Sequence, residues 1–81
     1  MMDTMTDTLE RVMKVTAEVL KVNMSKVEEN SRFVEDLGAE SVQSIELVAA
    51  YEEEFGIEMD EDQALAVKSV GDAVRFIDSI R

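Results

Sequence analysis

Apolar residues return at helical intervals in three stretches of this chain and lose all period in one long stretch between them. Leu9, Val12, Met13, Thr16, Val19 and Leu20 share one face of a helix. Leu47, Val48, Tyr51 and Phe55 do so again, and Val70, Ala73, Val74, Ile77 and Ile80 a third time. Residues 23–40 carry no sustained pattern, and connections of that length are uncommon without structure or function of their own. The chain has no proline and three glycines, so little in it interrupts a helix. The prediction is an all-α fold: a small four-helix bundle of three longer helices and one short one, with a long loop between helices one and two.

Local signals set the expected boundaries. Asp7 with Glu10 resembles a capping box, which predicts helix one over about residues 7–22 after a disordered start at 1–5. Asn23 is expected to end it, because Asn tolerates the left-handed cap position. Ser25 and Ser31 are read as starting single turns, with Val27, Phe33, Val34 and Leu37 tying the loop to the core. Gly38 supplies backbone freedom before the next element. Helix two is predicted over about 41–55, with Gly56 just past its end. Its second stripe, Val42, Ile45, Glu46, Ala49 and Glu53, mixes apolar side chains with acids. That stripe suits either packing on a later element or docking to a partner. Asp60 with Gln63 caps a short helix, and Ser69 with Asp72 starts the last one. Residues 1–81 read as one domain.

Composition excludes several classes of function. The chain has no Cys and no His, which removes disulfides, Ser-His and Cys-His catalytic pairs and the usual zinc sites. Its hydrophobic content of 46% supports a packed core rather than an acidic disordered tail. No apolar run approaches the ~20 residues that span a bilayer, and the polar N-terminus is not a signal peptide. The expectation is a cytoplasmic monomer without membrane insertion. Asp60-Glu61-Asp62 invites a calcium reading, but Leu65 and Gly71 stand where an EF-hand loop needs glycine and glutamate, so no metal site is expected. Glu52-Glu53-Glu54 point in different directions on a helix and make no acid–base pair. The chain is therefore not expected to be an enzyme.

The net charge of −11 argues against nucleic acid as a partner, and its distribution says more. Residues 1–27 hold four acids and four bases, and residues 64–81 hold two acids and three bases. Residues 28–63 hold thirteen acids and one base, Arg32, so the whole excess surrounds Ser41. This serine stands where a glycine-containing loop becomes a helix. It is either a helix N-cap or an attachment point, since the free N–H groups and positive dipole end of a helix start suit a phosphate-bearing substituent.

Gly38-Ala39-Glu40-Ser41-Val42, then Ile45-Glu46-Leu47 and Glu52-Glu53-Glu54-Phe55-Gly56-Ile57, strongly resemble an acyl carrier protein. Phe33-Val34-Glu35-Asp36-Leu37-Gly38 and Ser69-Val70-Gly71-Asp72 extend the resemblance over nearly the whole chain. It implies that Ser41 receives 4′-phosphopantetheine from coenzyme A through a carrier-protein synthase, and that acyl groups ride on the arm as thioesters. Delivery would be to enzymes of fatty acid, related lipid or polyketide biosynthesis. Partners with basic patches would meet Glu40, Glu46 and Glu53, with Val42 and Ile45 adding apolar contact. The missing Cys is coherent with this, because the sulfur arrives with the prosthetic group. Glu40 stands where the family usually has Asp, Val42 where it usually has Leu, and Tyr51 where Leu is common, which points to a specialised member. The rival expectations are an acidic interaction module without a prosthetic group and an amino-acid or peptidyl carrier.

Overall fold

The computed structural model describes residues 4–80, with side chains from residue 7 onward. Among them are four α-helices and no strand: α1 (Thr4–Leu20), α2 (Ser41–Phe55), α3 (Glu61–Ala66) and α4 (Val70–Ile80), with a 3₁₀ turn at Met24–Lys26 between the first two. α1 packs against both α2 and α4. The core between them holds Val12, Val15, Leu20, Leu47, Tyr51, Val70, Val74 and Ile77. The all-α expectation is met, and α2 has the predicted bounds.

The start and end of α1 differ from the sequence expectation. Asp7 lies inside its first turn and pairs with Arg11 at 3.7 Å, so it is not a cap. Residues 1–3, most of the expected disordered start, lie outside the described residues. The helix stops at Leu20 because Lys21 takes the left-handed conformation, φ 56°, and Val22 N–H turns back to the Ala17 carbonyl at 3.1 Å. Asn23 instead caps the 3₁₀ turn, its side chain accepting the Ser25 N–H at 3.0 Å.

Two polar links organise the interior. Thr8 Oγ1 donates to Asp78 at 2.7 Å and joins α1 to α4. Thr16 Oγ1 donates to the Val12 carbonyl at 2.7 Å. A hydroxyl has one proton to give, so the bond between Thr16 and Tyr51 must be donated by the tyrosine. Tyr51 is fully buried, and its ring lies tilted 6.3 Å from that of Phe33. Burial pushes its phenol above the ordinary range.

The long loop is ordered by backbone bonds to the start of α4. Gly71 N–H donates to the Glu29 carbonyl at 2.8 Å, Val70 N–H to Ser31 at 3.0 Å, and Phe33 N–H to Lys68 at 3.0 Å. Arg32 and Ser69 thus form an isolated antiparallel bridge. The close approach favours Gly71, since a Cβ there would make a tight 3.1 Å contact with the Glu29 oxygen. Val27 and Phe33 are buried as expected, and Leu37 packs against the core. Val34 is 55% exposed, contrary to expectation. The backbone turns tightly after Phe33, Asp36 and Leu37 N–H both returning to the Arg32 carbonyl, and the buried place falls to Ala39. Ile80, expected on the core face of α4, lies in its last turn and is exposed.

Candidate functional site

The approach to Ser41 is fixed residue by residue. Gly38 N–H donates to the Val34 carbonyl at 3.2 Å, and Ala39 N–H donates to Phe33 at 2.8 Å. Gly38 sits at φ +72°, a conformation L side chains rarely adopt. Ala39 is buried, which anchors the chain two residues before the serine. Asp36 closes the turn by accepting Arg32 N–H at 2.8 Å and the guanidinium Nε at 3.3 Å. The backbone bond first, then the guanidinium, holds its carboxyl below the usual carboxylate range.

Ser41 is not the cap. Glu40 occupies that position in extended backbone, φ −90° and ψ 168°, and its N–H donates to Gln43 Oε1 at 2.9 Å. The signal for this was present in the sequence as an acid and a glutamine three residues apart. Ser44 N–H makes the first helical bond, to the Glu40 carbonyl at 2.9 Å. Ser41 is thereby the first helical residue, exposed, and its hydroxyl makes no hydrogen bond among the described residues. A serine spent on capping would have its oxygen committed to a backbone N–H. Here Glu40 and Gln43 take the capping task and leave Ser41 Oγ open to solvent.

Beside Ser41 runs a groove of about 580 Å³ between α2 and α3. Ile45, Val48 and Ala49 wall it on one side, Ala64 and Leu65 on the other. Glu52 stands near the far end, eleven residues and about 16 Å along the helix from Ser41. Its carboxylate accepts the Met59 N–H at 2.8 Å, which ties α2 to the segment before α3. Asp60 and Gln63 form the expected capping box of α3, with bonds of 3.1 and 2.8 Å. Val48, read from sequence as a core position, is half-buried in the groove wall. The groove itself was not legible, because it depends on where α3 lies.

The other singled-out residues fall on two surfaces. Val42 and Ile45 are 67% and 71% exposed, and Glu40 and Glu46 are exposed beside them. Ile45 also lines the groove, opposite Leu65, which is 66% exposed. Glu53 is exposed two turns beyond Glu46 and borders a second cleft, between α1 and α2, with Glu18 and Glu54. Glu40 and Glu46 thus lie on the Ser41 end of α2, and Glu53 lies apart from them beside the α1–α2 cleft.

The site thus presents one accessible hydroxyl at the first position of a helix. The family model described as the phosphopantetheine attachment site matches residues 10–77. That span runs from α1 to α4 and includes the whole of the loop, α2 and α3.

Proposed function

Because the chain belongs to the phosphopantetheine attachment-site family, a family of carrier proteins bearing covalent 4′-phosphopantetheine, we propose that Ser41 is the residue that carries the group and that acyl units are its cargo. The carrying observation is the exposed Ser41 hydroxyl at the first position of α2, with Glu40 and Gln43 taking the cap. The Ser41 oxygen forms a bond to phosphorus, the diphosphate link of coenzyme A breaks, and the adenosine bisphosphate half leaves. The hydroxyl proton passes to a base of the carrier-protein synthase. When attached, the group supplies the thiol that holds an acyl unit as a thioester.

The chain's own residues orient and advertise this position. The first-turn N–H groups of α2 and its dipole favour the new phosphodiester. Glu40, Glu46 and Glu53 attract basic partner surfaces, and Val42 and Ile45 offer apolar contact where the charges bring a partner in. Charged contacts at exposed positions give fast, salt-sensitive and transient association, which suits a shuttle. The partners in this reading are a carrier-protein synthase and acyl-processing enzymes of fatty acid, related lipid or polyketide synthesis.

The test is incubation with coenzyme A and a broad-specificity carrier synthase, followed by intact mass. The expected result is the mass gain of one phosphopantetheine in the wild type and none in Ser41→Ala. No gain, or a gain that survives Ser41→Ala, overturns the reading.

A further inference from the structure

Two residues compete to begin α2. By intrinsic preference the cap belongs to Ser41, because serine is among the residues favoured there and glutamate is not. A helix begun at Ser41 would turn its oxygen onto the N–H groups of Gln43 and Ser44, two and three residues on. The structure begins the helix one residue earlier. The Ser44 N–H is already bonded to the Glu40 carbonyl at 2.9 Å, which removes one of the donors a capping Ser41 needs. Gln43 is what separates the two starts. Its Oε1 accepts the Glu40 N–H at 2.9 Å, and it is half-buried where Ser41 is exposed. A start at Ser41 would put Ser44 in the place that Gln43 now holds, and a serine side chain is too short to reach back as glutamine does.

We infer that Gln43 is a positioning residue for the loading of Ser41: by bonding the Glu40 N–H it starts α2 one residue early and keeps the Ser41 hydroxyl out of the cap. The inference rests on the attachment reading above. Gln43 acts through Glu40, to which it is bonded, and not on the hydroxyl itself. A capping oxygen has a lone pair committed to a backbone N–H, so only chains in the early frame offer it freely to a coenzyme A phosphorus. Losing Gln43 lowers the fraction of chains in that frame. A synthase that accepts only those chains then shows a higher KM for the carrier at unchanged kcat.

The wild type is compared with Gln43→Ala, Gln43→Glu, Glu40→Asp and the double variant Glu40→Asp/Gln43→Ala. In the unloaded proteins, the Ser41 Cα and Cβ chemical shifts are expected to be helical in the wild type and in Gln43→Glu. In Gln43→Ala they are expected to move toward those of a capping serine, with the Glu40 amide exchanging about fivefold faster. Loading from coenzyme A by a broad-specificity carrier synthase is then followed by intact mass. Gln43→Ala is expected to raise KM for the carrier about fivefold, with kcat within about twofold. Gln43→Glu, whose carboxylate accepts the same bond, is expected to restore the wild-type KM. Aspartate caps a helix unaided, so in a Glu40→Asp background the loss of Gln43 is expected to change KM by less than about twofold. A loss that persists in that background makes Gln43 a direct contact of the synthase and overturns the inference. So does an unchanged KM, or helical Ser41 shifts, in Gln43→Ala. A wild type that does not load counts against Ser41 as acceptor, a failure told apart from this one because the Ser41 shifts are read on unloaded protein.

Discussion

The Arg11 guanidinium lies 4.4 Å over the ring of Phe55 while its Nε donates to Glu54 at 2.9 Å, so one side chain of α1 grips the last turn of α2 by charge and by aromatic face together. A further bond from its NH2 group to the Glu54 carbonyl, also 2.9 Å, satisfies a helix-end acceptor. The pair is about a third exposed, so solvent weakens it. Arg11→Ala is expected to lower unfolding free energy by about 1 kcal/mol, measured by denaturant titration. Arg11→Lys keeps the charge but not the planar fork, and is expected to lose most of the same amount.

Gly38 is expected to be intolerant of a side chain for backbone reasons alone. A Cβ there meets no atom within 4 Å, yet φ is +72°. Gly38→Ala should therefore cost about 1 kcal/mol. Gly38→Asn, which tolerates the left-handed region better, should cost less. Equal losses for the two would show that the backbone angle is not the cause.

Tyr51 makes stability fall at alkaline pH. Its folded-state pKa is raised by burial, so the folded chain holds the phenolic proton where the unfolded chain releases it. The contribution is complete below the unfolded value, near pH 10, and is lost as pH rises from there toward the folded value, by about 1.4 kcal/mol per pH unit. Tyr51 is the chain's one tyrosine, so tyrosinate absorbance reports it alone. Ionisation should coincide with unfolding rather than precede it. Tyr51→Phe should remove this component of the alkaline loss.

At acid pH the sign is reversed for two carboxylates. For Asp72, partial burial favours the neutral acid, but the Lys68 N–H, Arg75 and Ser69 together prevail and lower its pKa. Asp36 is lowered by the Arg32 N–H and guanidinium. Both contribute stability above their unfolded values, near pH 4, which is lost as pH falls through the folded ones. Asp72→Asn should make acid unfolding shallower, as followed by circular dichroism.

The thirteen acids of residues 28–63 repel one another, with Arg32 the one base of that segment held by Glu35 and Asp36. Melting temperature is therefore expected to rise with sodium chloride, most steeply up to about 0.15 M, where the screening length falls to about 8 Å, the spacing of neighbouring helices. A flat profile would refute the repulsion argument.

What the sequence disclosed was mostly local chemistry. The bounds of α2, the Asp60–Gln63 box and the Ser69–Asp72 start are written within a few residues of each other. In the last of these, Asp72 N–H donates to Ser69 Oγ at 3.1 Å. Features made by distant partners stayed hidden. Lys21 is an ordinary residue for a helix interior, and nothing beside it announces a left-handed turn. Val34, expected in the core, faces solvent and Ala39 is buried, because backbone hydrogen bonds within the loop, not hydropathy, decide which way it faces. At Ser41 the acidic setting and the helix start were legible, but its release from capping depended on reading Glu40 and Gln43 as a pair.

The bridge between Arg32 and Ser69 has a consequence for the order of events during synthesis. Ser41 is synthesised before residues 68–71, on which the loop that aims it closes. A nascent chain thus contains the serine before its folded setting exists, and, on the proposed attachment at Ser41, an enzyme that reads the closed loop would spend coenzyme A only on chains that have folded.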